Sequence, residues 1–101
     1  MGLAAWFVYV LRCGDGTLYT GIARDVSARL EAHARGKGAR YTRGRGPLTV
    51  AAKTRCVSMS EALRLERAIK RLGRAEKVEL VGHAPRLAAL KRRVRALAKP
   101  I

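Results

Sequence analysis

Five side chains set the chemistry within reach of this chain: Tyr9, Tyr19, Arg29, His33 and Glu66. The two phenols flank Gly14-Asp15-Gly16, a break between the β-prone runs Phe7-Val8-Tyr9-Val10-Leu11-Arg12-Cys13 and Thr17-Leu18-Tyr19-Thr20-Gly21. Arg29 and His33 stand four apart in a helical pattern, so a guanidinium and an imidazole share one flank. Glu66 sits at the margin of a second apolar stripe, where a carboxylate is costly unless it pairs with an arginine or holds a metal ion. Taken singly, each has a bland use: strand tyrosines, a solvated arginine, a helix-end histidine, a surface ion pair. A sixth feature points outward. Arg35, Lys37, Arg40, Arg43 and Arg45 alternate with four glycines around Tyr41, a pattern suited to tracking a phosphate backbone with a base stacked on the ring.

The elements that must position these groups are legible from period and punctuation. A three-residue Gly14-Asp15-Gly16 loop pairs Cys13 with Thr17, Leu11 with Tyr19 and Tyr9 with Gly21, which puts both phenols on one face. Gly21, lacking a side chain opposite Tyr9, is expected to leave space for a ligand and so joins the candidate nucleic-acid contacts. The strands are placed at residues 5–12 and 17–21. Asp25 caps a helix from Val26 to about Arg35, with Val26 and Leu30 apolar. Pro47 opens a third strand over 48–57. Ser58 and Glu61 form a capping box for a helix reaching about Leu72, with Ala62, Leu65, Ile69 and Leu72 inward. Gly73 ends it. Residues 74–81 make a short helix with Val78 and Val81 inward. From Pro85 a last amphipathic helix buries Leu87, Leu90, Val94 and Leu97.

The totals narrow the class. With 101 residues the chain supports one core, and half of it is hydrophobic, so it folds. Lys plus Arg number 22 against 7 Asp plus Glu, a formal charge of +15, which makes nucleic acid the leading partner ahead of a membrane surface or an acidic protein. Met1 to Leu11 is too short for a span and lacks a basic leader, so no membrane role and a cytoplasmic location are expected. Cys13 and Cys56 read as free thiols, and no Cys or His cluster suggests zinc.

The order of features, a hairpin with two tyrosines, a helix with arginine, a third strand and a helix with glutamate, resembles the GIY-YIG nuclease superfamily. Phe7-Val8-Tyr9 and Tyr19-Thr20-Gly21 match its two triplets. Ala23 to Leu30 looks like the helix with the catalytic arginine, at Arg29, and Glu61 to Lys70 like the helix with the metal-binding glutamate, at Glu66. The likeness covers about residues 5–82 and is nearest to the small stand-alone bacterial branch. Phe7 replaces the first glycine, Ile22 stands where the excision-repair type has lysine, and Lys77-Val78 where that type has asparagine. His33 fits the arginine-then-histidine pattern of some restriction-type members.

The resemblance implies an α+β fold, a small three-stranded antiparallel sheet flanked by helices. Residues 1–82 would be the nuclease domain and 83–101 an added basic helix packed on it. It implies an endonuclease using one Mg²⁺ or Mn²⁺ ion, with Glu66 as its single protein ligand. Arg29 would hold the phosphoryl oxygens, and Tyr19 would orient water or phosphate. Tyr9 would take the proton from the attacking water, its pKa lowered by Arg29 and the metal, with His33 the competing base. Lys70 joins the basic loop as a nucleic-acid contact. A monomer would cut one strand per event, on single-stranded or structured DNA, in repair, recombination or DNA uptake. The alternatives are a non-catalytic RNA- or ribosome-associated domain and a scaffold subunit of a repair complex.

Overall fold

The computed structural model describes residues 5–97. Its centre is a hairpin of β1 (Trp6–Arg12) and β2 (Leu18–Ala23). The turn is the three-residue one: Cys13 donates its N–H to the Thr17 carbonyl, and Gly16 takes φ +85°, the left-handed geometry that glycine adopts without a Cβ clash. Asp15 accepts from both the backbone and the hydroxyl of Thr17, which locks the loop length. Tyr9 therefore pairs with Gly21 and Leu11 with Tyr19. β3 (Thr49–Cys56) joins the other side of β1 antiparallel, giving the order β2-β1-β3.

Alternation along β1 sends side chains to two packed faces. Val8 and Val10 meet Ala62, Leu65 and Ile69 of α2 (Met59–Lys70), together with Leu80 of α3 (Arg74–Gly82) and Leu87 and Val94 of α4 (Ala84–Leu97). Tyr9 and Leu11 meet Ala23 and Val26, the latter from α1 (Val26–Ala34), with Leu30 and Leu48 alongside. Leu65 and Ile69 are fully enclosed, so truncating either to alanine costs about 2–5 kcal/mol. The fold is α+β, a three-stranded antiparallel sheet with four helices.

The helix starts are chemically defined. Asp25 Oδ1 accepts from the Ala28 N–H, and Ser58 Oγ from the Glu61 N–H. The expected capping box is only half formed, because the Glu61 carboxylate reaches past Ser58. It is buried, accepts from the Val57 N–H, and receives two bonds from Arg95 near the end of α4. That ion pair, with Leu87 and Val94, fastens α4 to α2.

Three expectations about packing are corrected. Gly73 does not close α2 by a left-handed turn; with φ −71° it caps α3, where the Glu76 carboxylate accepts its N–H. Val78 is 45% exposed and Leu80 is the buried residue of α3, because the inward face runs through Leu80 and Val81. Leu97 is 85% exposed, since the last turn of α4 runs past the core that seats Val94.

Candidate active site

Tyr9 is the pivot. Its ring lies across Gly21: a Cβ there would stand 2.6 Å from the Tyr9 Oη and 2.7 Å from Cζ. The space expected at Gly21 for a ligand is thus filled by the protein's own phenol, and glycine is needed for that crossing. The register explains it, because Tyr9 and Gly21 are direct cross-strand partners.

Tyr9 Oη is 2.9 Å from His33 Nε2. His33 is not at the surface; it is 2% exposed, enclosed by the segment that follows α1. The Ala39 N–H points at His33 Nδ1 from 3.2 Å, and the Thr42 hydroxyl lies 2.9 Å from both that nitrogen and the Ala39 carbonyl, with one proton to give to either. A backbone N–H can only donate, so Nδ1 is the accepting nitrogen and the neutral ring carries its proton on Nε2. His33 therefore donates to Tyr9, and the phenol's own proton is left to point elsewhere. Burial and the Arg29 charge push the imidazole pKa below its usual value, which keeps this neutral form. Gly38 is pressed against the ring so closely that a Cβ would collide with Nδ1.

The basic segment is anchored rather than free. Arg45 pairs with Asp15 at 2.6 Å and gives its carbonyl to the Gly14 N–H, tying the segment to the hairpin turn. Arg40–Thr42 form one 3₁₀ turn, and Tyr41 stacks on Tyr19 at 5.9 Å with the Arg45 guanidinium 4.5 Å from its ring centre. Tyr41 and Arg45, expected to meet base and phosphate, also contact Tyr19 and Asp15 while staying partly exposed. Arg35, Lys37, Arg40 and Arg43 remain exposed.

The electrostatics gather the rest. Tyr9 has its pKa pushed up to about 12, first by burial and then by Tyr19 and the Glu66 charge, against the Arg29 guanidinium, which lowers it. Arg29 lowers it as expected, but desolvation outweighs that one cation without the metal that was expected to act beside it. The same balance shows that Arg29 and Glu66, from α1 and α2 on opposite sides of the sheet, both act on the phenol beside β2. Tyr19 completes the group, 6.4 Å from Tyr9 and 5.2 Å from His33 between ring centres.

Glu66 pairs with Lys70 at 3.1 Å rather than with an arginine. Its side chain is 20% exposed, and that of Lys70 is half-exposed. Among the described residues no three His, Cys, Asp or Glu side chains cluster. The donors here are therefore hard oxygens with one carboxylate, which suits Mg²⁺ or Mn²⁺ with retained waters and not a zinc cage. Cys13 and Cys56 are buried free thiols away from these donors, and burial raises Cys56 to about 11.

Sequence reasoning missed Thr42, Ala39 and Gly38 as the setting of His33. The signal available was the Gly-Lys-Gly-Ala-Arg-Tyr-Thr run itself, whose glycines allow the tight approach.

With this geometry described, the relatives can be placed. The GIY-YIG catalytic domain family matches residues 5–79, and the chain belongs to that family, a superfamily of nuclease-type hydrolases. It is 49% identical over 75 residues to the UPF0213 protein BH0048 of Halalkalibacterium halodurans, covering 74% of this chain and 80% of that one. It is 50% identical over 76 residues to a UPF0213 protein of Cronobacter sakazakii, covering 75% and 80% respectively. The solution NMR structure of the Bacillus halodurans UPF0213 protein BH0048 superposes with TM-score 0.52 at 47% identity, covering 77% of this chain and 83% of that one. Among the described residues no helix is long and apolar enough to cross a membrane.

Proposed function

We propose that this protein is a divalent-metal-dependent endonuclease that hydrolyses one DNA strand per event, on single-stranded or structured DNA. The observation that carries the reading is Tyr9: one buried phenol accepts from His33 and feels both the Arg29 cation and the Glu66 carboxylate. Glu66 would hold one Mg²⁺ or Mn²⁺ ion, which supplies charge neutralisation at the phosphate and the leaving oxygen. Arg29, exposed at the end of this group, clamps phosphoryl oxygens with its forked donors. Tyr9, once ionised with loss of its own proton to solvent, takes the proton of the attacking water and returns to the neutral phenol. His33 does not compete for it, because Nε2 carries a proton; it stabilises the developing phenolate by donating to Oη. With a resting pKa near 12, Tyr9 is a base only once positive charge is added, so activity is gated by the metal. Tyr19 orients the water or phosphate. Exposed Arg35, Lys37, Arg40 and Arg43 neutralise flanking phosphates, and Lys70 exchanges Glu66 for phosphate when the metal binds.

The test is incubation of purified protein with single-stranded, duplex and branched DNA in Mg²⁺ or Mn²⁺ beside Glu66→Ala. Cleavage lost in the variant supports the reading. No cleavage of any substrate with either metal contradicts it and leaves binding alone.

A further inference from the structure

A second cleft lies next to this site and takes no part in the chemistry above. It is an open cleft of about 350 Å³, lined chiefly by Trp6, Ile22, Arg24, Asp25, Ala28 and Arg29, with Ala32 at its floor. Its position is informative. Arg29 belongs to both the cleft and the catalytic group, so whatever fills the cleft is a direct neighbour of the phosphate that Arg29 would hold. Its composition is informative as well. Ala28 and Ala32 stand one helical turn apart on α1 and leave a low floor. Trp6 supplies a flat, half-buried aromatic surface at the start of β1, and the exposed Arg24 guanidinium rests 5.2 Å from its ring centre. The one carboxylate at the rim, Asp25, is committed to the Ala28 N–H, and neither Arg24 nor Arg29 forms an ion pair among the described residues, so an aromatic platform with two arginines suits a flat, uncharged ring attached to an anion.

We infer that this cleft seats the nucleobase adjoining the scissile phosphate, stacked at Trp6, with Arg24 moving from the indole to the next phosphate. The inference rests on the nucleic-acid reading above and adds to it a base subsite. Because the seat is a stacking surface and not a set of donors and acceptors, it tolerates any base and rejects an abasic position.

Trp6 is the single tryptophan of the chain, so its fluorescence reports on this cleft alone. Wild-type protein in chelator is titrated with a short labelled oligothymidylate and with an abasic sugar-phosphate strand of the same length. Label anisotropy follows binding and indole emission follows the cleft. Emission should be quenched by the base-bearing strand and barely changed by the abasic one. Ala28→Leu, which fills the cleft from an exposed helix position without disturbing the core, should weaken the base-bearing strand by about tenfold and spare the abasic strand. Binding by anisotropy with unchanged emission, or equal weakening of both strands by Ala28→Leu, overturns the base subsite while leaving the nuclease reading intact. Failure of both strands to bind overturns both.

Discussion

Gly21→Ala isolates the contact on which the site depends. The backbone at Gly21 is ordinary strand, so alanine brings no conformational penalty and the whole effect comes from one added carbon. That carbon would stand 2.6 Å from the Tyr9 Oη, 2.7 Å from Cζ and 3.1 Å from a Tyr19 ring carbon. An ordinary contact begins near 3.4 Å, so the phenol must retreat by roughly 0.8 Å. A shift of that size disturbs the 2.9 Å bond to His33, whose geometry tolerates only a few tenths of an ångström. Overpacking of this kind costs about 1–3 kcal/mol of stability, and a reacting group displaced by about 1 Å loses about a hundredfold in rate. The assay is single-turnover cleavage at fixed metal beside thermal unfolding. Oligonucleotide binding should stay near wild type, because the basic segment is untouched. A variant that cleaves within about threefold of wild type would refute the crossing of Tyr9 over Gly21 as the basis of its positioning.

The other predictions bear on different links. Thr42→Val should lower stability by about 1 kcal/mol and slow cleavage, with Thr42→Ser restoring both, since a hydroxyl and not bulk holds His33; equal loss in both variants would reject that role. Cleavage should rise about tenfold per pH unit above neutrality, because the base is a phenol that burial holds above its ordinary value; a plateau already reached near neutrality would return the role to an imidazole. Glu61, whose pKa is lowered chiefly by its bonds from Arg95, contributes stability that is complete above its unfolded value of 4.5 and lost as pH falls through the folded one. Arg95→Leu should therefore lower the melting temperature at pH 7 and flatten its decline in acid, and an unchanged acid profile would count against the α2–α4 tie.

The hairpin register was legible because a three-residue loop ending in glycine admits one pairing, and that pairing decided that both tyrosines share a face. The helix caps at Asp25 and Ser58 were legible for the same local reason: the accepting side chain and the donating N–H lie three residues apart. His33 was only half legible. Its spacing from Arg29 showed the flank, but its burial comes from Ala39 and Thr42, which lie beyond the end of α1 and reach it only because Gly38 permits contact. The direction of the Tyr9 shift was not legible at all, since it is the difference between burial and one cation, and burial is a property of the assembled fold. Leu97 and Val78 show the converse limit. An apolar residue in helical phase is buried only if a partner surface extends that far, and periodicity carries no information on the partner's length. Glu61 and Arg95, 34 residues apart, carry no pattern that pairs them.

The central claim is that one metal ion sits at Glu66 within the group formed by Tyr9, Tyr19, Arg29 and His33. Paramagnetic broadening by Mn²⁺, read residue by residue in the NMR spectrum, tests it without requiring turnover. Signals of Tyr9, Tyr19, Arg29 and Glu66 should broaden first at substoichiometric Mn²⁺, and Glu66→Gln should abolish the effect. Broadening centred elsewhere, or undiminished in Glu66→Gln, would contradict the account.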